Sequence, residues 1–324
     1  MKFDVVIGNP PYNADGFGSG FYCKFILSTL SLSDRFVSFI HPNRWMTSDN
    51  ALESESRHKL KNKIRTLVDF IPDNFDLDNI GIFKNTKIRG GVSYYLVDKL
   101  YDGDIDYIES KSGLRCNKKL TDYGLLRGVN QGLLYDGLSW FDSMSSYVIP
   151  DPFKIASNDS RVKNKPQYED DIPCMMVDGI QYISNQYVNV NKELINKYKV
   201  AVSCSGKTYH RKYNRFYGKI LPPGTVCSSS YVLVYASENE EYCKRCVKYL
   251  CSSLVVMLKD DVSVQISKTR STWKYVPMLD FSDDDLIDWD AEPAVFDILL
   301  FKLMGLTDDE IEILRNRGYL IYES

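Results

Sequence analysis

An asparagine, two prolines and a tyrosine in succession, Asn9-Pro10-Pro11-Tyr12, follow directly on a β-branched run that starts at Asp4 and closes at Gly8. The side-chain oxygen of Asn9 and the backbone carbonyl of Pro10 are both acceptors, and consecutive prolines stiffen the turn so that the two converge. Converging acceptors suit an exocyclic amine conjugated to a purine ring. Such a nitrogen is a poor nucleophile until its hydrogens are held and it is drawn toward tetrahedral geometry. Tyr12 adds a flat face on which a base extruded from a duplex can stack, with Pro11 a further contact to that base. No ionisable general base is required. The bland alternative, a diproline turn ending a strand, explains the turn but not the four residue types together.

Other residues offer weaker chemistry. Tyr94 and Tyr95 are candidates for a second stacking face, against the stronger alternative that they pack in a sheet. The stretch 201–216 interleaves Lys207, His210, Arg211, Lys212 and Arg215 with Tyr209, Tyr213 and Phe216, a pattern that suits phosphates and bases and equally suits a solvated basic strand pair. Ser205-Gly206-Lys207-Thr208 imitates the end of a phosphate-binding loop, but Ala201 stands where its first glycine belongs. Cys243 and Cys246 form a C-x-x-C with Cys251 nearby. The stretch from Glu241 to Leu254 reads as one helix and no second ligand pair follows, so helical core is expected and no metal.

The first hundred residues alternate short apolar runs with helical patterns, the signature of an α/β layer with a mostly parallel sheet. Asp4 to Ile7 and Phe36 to Ile40 read as buried strands, joined by a crossover helix in which Phe21, Tyr22, Phe25, Ile26 and Leu30 recur at helical spacing. Arg57 to Ile64 reads as a further helix, and Thr66 to Ile71 and Gly91 to Val97 as two more strands. The alternation then fades into a Tyr-, Ser- and Lys-rich region, which places a boundary near residue 110 and a second domain over 111–324. Its tail is helical, with Thr307-Asp308-Asp309-Glu310 a capping box that opens the last helix.

Composition narrows the classes. With 44% hydrophobic and 26% charged residues, 324 residues describe a globular chain with a sizeable core. The start at Met1 lacks a signal-peptide pattern and no apolar run is long enough to span a bilayer, so a cytoplasmic protein with reduced cysteines is expected. A net charge of −3 does not advertise nucleic-acid binding, but local clusters of Lys and Arg decide that.

The run Phe3-Asp4-Val5-Val6-Ile7-Gly8-Asn9-Pro10-Pro11-Tyr12 resembles the catalytic motif of adenine-N6 DNA methyltransferases. His41-Pro42-Asn43-Arg44-Trp45 resembles their next strand-end motif, and the stretch from Ile82-Phe83 to Leu96 their later strand pair. Trp273 to Ser282 and Gly305 to Ile311 resemble the closing segment of large fused type II restriction-modification methylases. The resemblance implies S-adenosyl-L-methionine as donor, double-stranded DNA as substrate, and a bacterial or phage-infected cell as setting.

These enzymes bind the donor through an acidic, glycine-rich loop ahead of the catalytic motif, and no such loop is found elsewhere in the sequence, so the donor site is incomplete here. Gly16-Phe17-Gly18-Ser19-Gly20 falls after the catalytic strand, where the family carries a loop over the target base. The expectation is therefore the second half of a Rossmann-like methyltransferase sheet over 1–110, then a mixed α+β target-recognition region, with a separate chain supplying the donor-binding half. The rival is a non-catalytic remnant that binds DNA or a partner and interferes with a host modification system.

Overall fold

The computed structural model describes residues 2–12, 20–46, 50–70, 91–110, 115–120, 125, 141–204, 218–262, 270–316 and 320. The chain forms two compact units, the first of Met1–Tyr135 with Asp261–Gln265, the second of Asp136–Asp260 with Ile266–Ser324.

In the first unit the β-branched run after Lys2 becomes β1 (Phe3–Gly8), and the helical spacing that follows becomes α1 (Phe21–Leu32). Then come β2 (Ser33–Pro42), α2 (Ala51–Leu60), β3 (Ile64–Phe70), β4 (Val92–Asp98), β5 (Ile105–Glu109) and β6 (Arg115–Lys118). The strands form one sheet in the order β1-β2-β4-β3-β5-β6.

The sheet is mixed, which corrects the expectation of a mostly parallel one. β1 with β2 and β3 with β5 run parallel, but β4 lies antiparallel to both β2 and β3 and enters the sheet between them. Apolar runs locate strands without giving their direction. The burial along β4 fits its antiparallel pairing: Tyr95 is fully buried while Tyr94 and Leu96 are 44% and 36% exposed.

A second correction concerns α2, which spans Ala51–Leu60 rather than Arg57 to Ile64. Asn50 caps it by accepting from Leu52 N–H at 3.0 Å, and Asn62 at φ 62° turns the chain out into β3. The inner face of α2 consists of Glu53, Ser56, Arg57 and Leu60, so apolar periodicity could not show where it began. The core of this unit gathers Ile26, Val37, Trp45, Leu67, Tyr95 and Tyr107. On the other face of the sheet Val5 and Ile7 stay 53% and 74% exposed, and pairing puts Ile7, Ser38 and Leu96 in one row.

The second unit holds β7 (Ile149–Pro150), β8 (Asp171–Met176), β9 (Gly179–Ser184), β10 (Tyr198–Ser203), β11 (Gly218–Leu221), β12 (Val226–Cys227) and β13 (Tyr231–Ser237). One sheet runs β11-β10-β13-β7 and another β12-β8-β9. The stretch read as one helix from Glu241 to Leu254 is two, α3 (Glu240–Leu250) and α4 (Ser253–Val262), because the chain breaks at Cys251-Ser252. Cys243 and Cys246 are fully buried on α3. The tail forms α5 (Pro293–Leu303) and α6 (Asp308–Asn316). The capping box closes reciprocally: Glu310 N–H donates to Thr307 Oγ1 at 3.3 Å and Thr307 N–H to Glu310 Oε2 at 2.8 Å.

Candidate active site at the carboxyl ends of the first two strands

Parallel pairing of Val6 with Val37 and Gly8 with Phe39 brings the carboxyl ends of β1 and β2 to one rim of the sheet. In open α/β sheets this is the rim at which ligands bind. Asn9 emerges exposed from β1, Pro10 is buried, Pro11 is exposed and Tyr12 is half-buried. Pro10 thus anchors the turn while Asn9 remains accessible. Gly8 is required immediately before it, because a Cβ there would meet Phe39 Cε1 at 2.7 Å. The Tyr12 hydroxyl is buried with no hydrogen-bond partner among the described residues, and burial raises its pKa.

Behind the rim lies a frame of buried polar groups. Asn43, in the 3₁₀ turn Asn43–Met46 after β2, donates from Nδ2 to Asp69 Oδ1 at 2.5 Å and from its backbone N–H to the Gly91 carbonyl at 3.1 Å. Tyr107 Oη donates to the other Asp69 oxygen at 2.6 Å, which ties β5 to β3 and β3 to the end of β2. His41 is fully buried, with Nδ1 at 3.0 Å from the Pro42 carbonyl and Nε2 at 2.9 Å from Tyr95 Oη. Desolvation pushes its pKa down to about 4, so it is neutral, donating at Nδ1 and accepting at Nε2. Tyr22 stacks on the imidazole at 4.9 Å.

Glu53 is also fully buried and accepts from Tyr22 Oη at 2.8 Å. The same oxygen lies 3.6 Å from Arg44 Nε. Gly20, at φ 92°, rests on this carboxylate, since a Cβ there would lie 3.5 Å from Glu53 Oε1. The entry to α1 and the turn after β2 therefore share one acid. An exposed Asn9 amide beside a buried Pro10, a half-buried ring and a frame of buried polar groups behind them can hold a flat polar ligand.

In the protein-family comparison, residues 1–75, which carry this rim, match the Eco57I restriction-modification methylase family. This is a restriction-modification methylase-like chain. An uncharacterised adenine-specific methylase of Mycoplasma pneumoniae is 34% identical over 111 residues, which are 32% of this chain and 25% of that protein. The resemblance is to the adenine methyltransferase class, and the chain covers about a quarter of that relative's length. Among solved structures, the Type IIL restriction-modification enzyme MmeI in complex with DNA aligns with 99% of this chain and 50% of its own, at 10% identity and a TM-score of 0.42. A type I methyltransferase subunit from Streptococcus thermophilus aligns with 34% of this chain and 27% of its own, at 20% identity and a TM-score of 0.26.

In the methylase-like chain the sequence-predicted residues divide into three groups. Asn9, Pro10, Pro11 and Tyr12 share the rim. Tyr95 does not join them: it is fully buried and bonded to His41, so its ring offers no open face and the stacking expectation is corrected to core packing. Tyr94 is 44% exposed beside Phe70 at 5.8 Å, on the face of the sheet opposite Tyr95. Lys207, His210, Arg211, Lys212 and Arg215 lie outside the described residues, as do Gly16 to Ser19 and the imitation phosphate loop at 205–208.

The described residues do not fit the methyl donor. β1 leads into Asn9-Pro10-Pro11 and β2 into the turn Asn43–Met46, neither of which combines clustered glycines with a carboxylate. Among the described residues no group of three or more His, Cys, Asp or Glu could hold a metal, and no helix is long and apolar enough to cross a membrane. Sequence reasoning missed Glu53, Asp69 and Tyr107. Their signal is only that charged or polar residues occupy positions facing the core, visible once the fold is known.

Proposed function

We propose that this chain is the catalytic and DNA-recognition part of an adenine-N6 DNA methyltransferase, working on double-stranded DNA in the cytoplasm of a bacterial or phage-infected cell. The observation that carries the reading is the rim itself: an accessible Asn9 beside a buried Pro10, with half-buried Tyr12 following, in a segment that matches a methylase family. Asn9 Oδ1 and the Pro10 carbonyl accept from the two hydrogens of the adenine amine and fix its nitrogen. Tyr12 stacks on the extruded base, and its buried phenol end holds the ring in place. Residues after about 110 read the DNA sequence, with Lys207, His210, Arg211, Lys212 and Arg215 on phosphates. S-adenosyl-L-methionine supplies the methyl group, presented by a donor-binding half that the reading assigns to a separate chain.

The test is methylation by the complex isolated from native cells through a tag on this chain. With unmethylated DNA and labelled donor, it should form N6-methyladenine, and Asn9→Ala should abolish that product while the DNA dissociation constant stays within a few-fold. Full methylation by Asn9→Ala would remove the motif from the active site. A complex that binds DNA but never methylates it would favour the non-catalytic remnant.

A further inference from the structure

Glu53 places a carboxylate where the core of the first unit would accept a hydrocarbon. It lies on the inward face of α2 beside Ser56, Arg57 and Leu60, and its side chain is fully buried. One oxygen, Oε1, accepts from Tyr22 Oη at 2.8 Å and lies 3.6 Å from Arg44 Nε. The other, Oε2, is buried with no hydrogen-bond partner among the described residues. An unmatched buried acceptor costs stability, and a buried ion pair does not restore it, because packed apolar residues of the same volume usually serve as well or better. What such an acid supplies is placement: donors from two different elements are held to one atom.

The two elements joined in this way are the two that flank the end of β1. α1 is the next element in the chain after β1, and β2 is the strand that pairs with β1 up to Gly8. Gly20, which opens α1 at φ 92°, lies against the Glu53 carboxylate. The Tyr22 ring stacks on His41, near the end of β2, at 4.9 Å, and Arg44 belongs to the turn Asn43–Met46 that follows β2 directly. From this arrangement we infer that Glu53 is a positioning residue of the proposed methyl transfer: it locks the head of α1 to the end of β2 and so sets where Asn9 and Tyr12 stand at the rim. The inference rests on the methyltransferase reading. Gly20 closes the short stretch of chain that begins after Tyr12, and Gly8 pairs with Phe39 immediately before Asn9, so both ends of the catalytic turn depend on elements that Glu53 joins. Methyl transfer demands close placement of the acceptors around the amine, and a displacement of about 1 Å costs about a hundredfold in rate.

The assay is N6-methyladenine formation by the complex isolated through a tag on this chain, with unmethylated DNA and labelled donor. Glu53→Gln keeps the size of the side chain and an acceptor for Tyr22 but loses the charge facing Arg44. Tyr22→Phe keeps the ring on His41 but loses the hydroxyl that Glu53 holds. Each should lower kcat about tenfold and leave KM for DNA within about twofold. The double variant should be no slower than the slower single one, because both changes break the same link. Urea denaturation of each variant accompanies the kinetics. A merely structural role would lower the denaturation midpoint and leave kcat of the folded complex at the wild-type value, and that result overturns the proposal. If Glu53→Gln does not fold, full kcat from Tyr22→Phe overturns it instead. A wild-type complex that never methylates DNA refutes the methyltransferase reading and this inference with it, an outcome distinct from methylation that ignores Glu53.

Discussion

Lowering the pH from about 8 to about 5 should weaken the first unit by about 2 kcal/mol through His41 alone. The imidazole is fully buried between Tyr22, Tyr95 and the Pro42 carbonyl, where burial holds its pKa at about 4 against 6.5 in the unfolded chain. Between those values the unfolded chain binds the proton and the folded one does not. The His41 contribution is therefore complete above about pH 6.5 and is lost as the pH falls toward about 4, reaching about 3 kcal/mol in total. Urea denaturation across this range would measure it, with His41→Gln as reference because glutamine cannot take up the proton. The variant should be less stable than wild type at high pH, since it forfeits the stacking on Tyr22, but the gap should narrow as the pH falls. Carboxylates titrate in both proteins and cancel from the difference. A variant that loses as much stability between those pH values as wild type would refute the buried, neutral His41.

Three further outcomes follow from the site. Gly8→Ala should destabilise the chain by about 1–3 kcal/mol, because its Cβ must displace Phe39 or the end of β1, and it should depress methylation by moving Asn9; urea denaturation and the native-complex assay check the two effects. Tyr12→Ala should weaken DNA binding as well as methylation, by about 1–3 kcal/mol in binding, which separates base holding from the amine holding of Asn9. Replacing Lys207, Arg211 and Lys212 together by Ala should weaken DNA binding and flatten its salt dependence, and an unchanged slope in anisotropy titrations would move the phosphate contacts elsewhere.

Much of the rim was legible in the sequence because its residues are contiguous. Asn9 to Tyr12 sit in one turn after a β-branched strand, and both the strand and its parallel neighbour could be read from apolar runs. The capping box at Thr307 was legible for the same reason, being a contact across three residues. What the sequence hid is non-local or polar. Asn43 reaches Asp69 across 26 residues, and Tyr22 reaches Glu53 across 31. A helix that turns Glu53 and Arg57 inward shows no apolar stripe, so its start was misplaced, and the buried acid beneath Arg44 went unseen with it. The direction of β4 was hidden differently, since antiparallel insertion is a property of the connection and not of the strand's own residues.

β1 is an edge of its sheet among the described residues, and its outward side chains Phe3, Val5 and Ile7 are 47%, 53% and 74% exposed. An edge with unpaired backbone groups and apolar side chains is a template for any other strand it meets. Little charge guards it, since Lys2 is engaged with Asp34 at 3.6 Å and Asp4 is the one acidic residue within the strand. A further strand can therefore extend the sheet at β1. Val5→Lys or Val5→Glu would oppose such pairing without touching the turn that begins at Asn9.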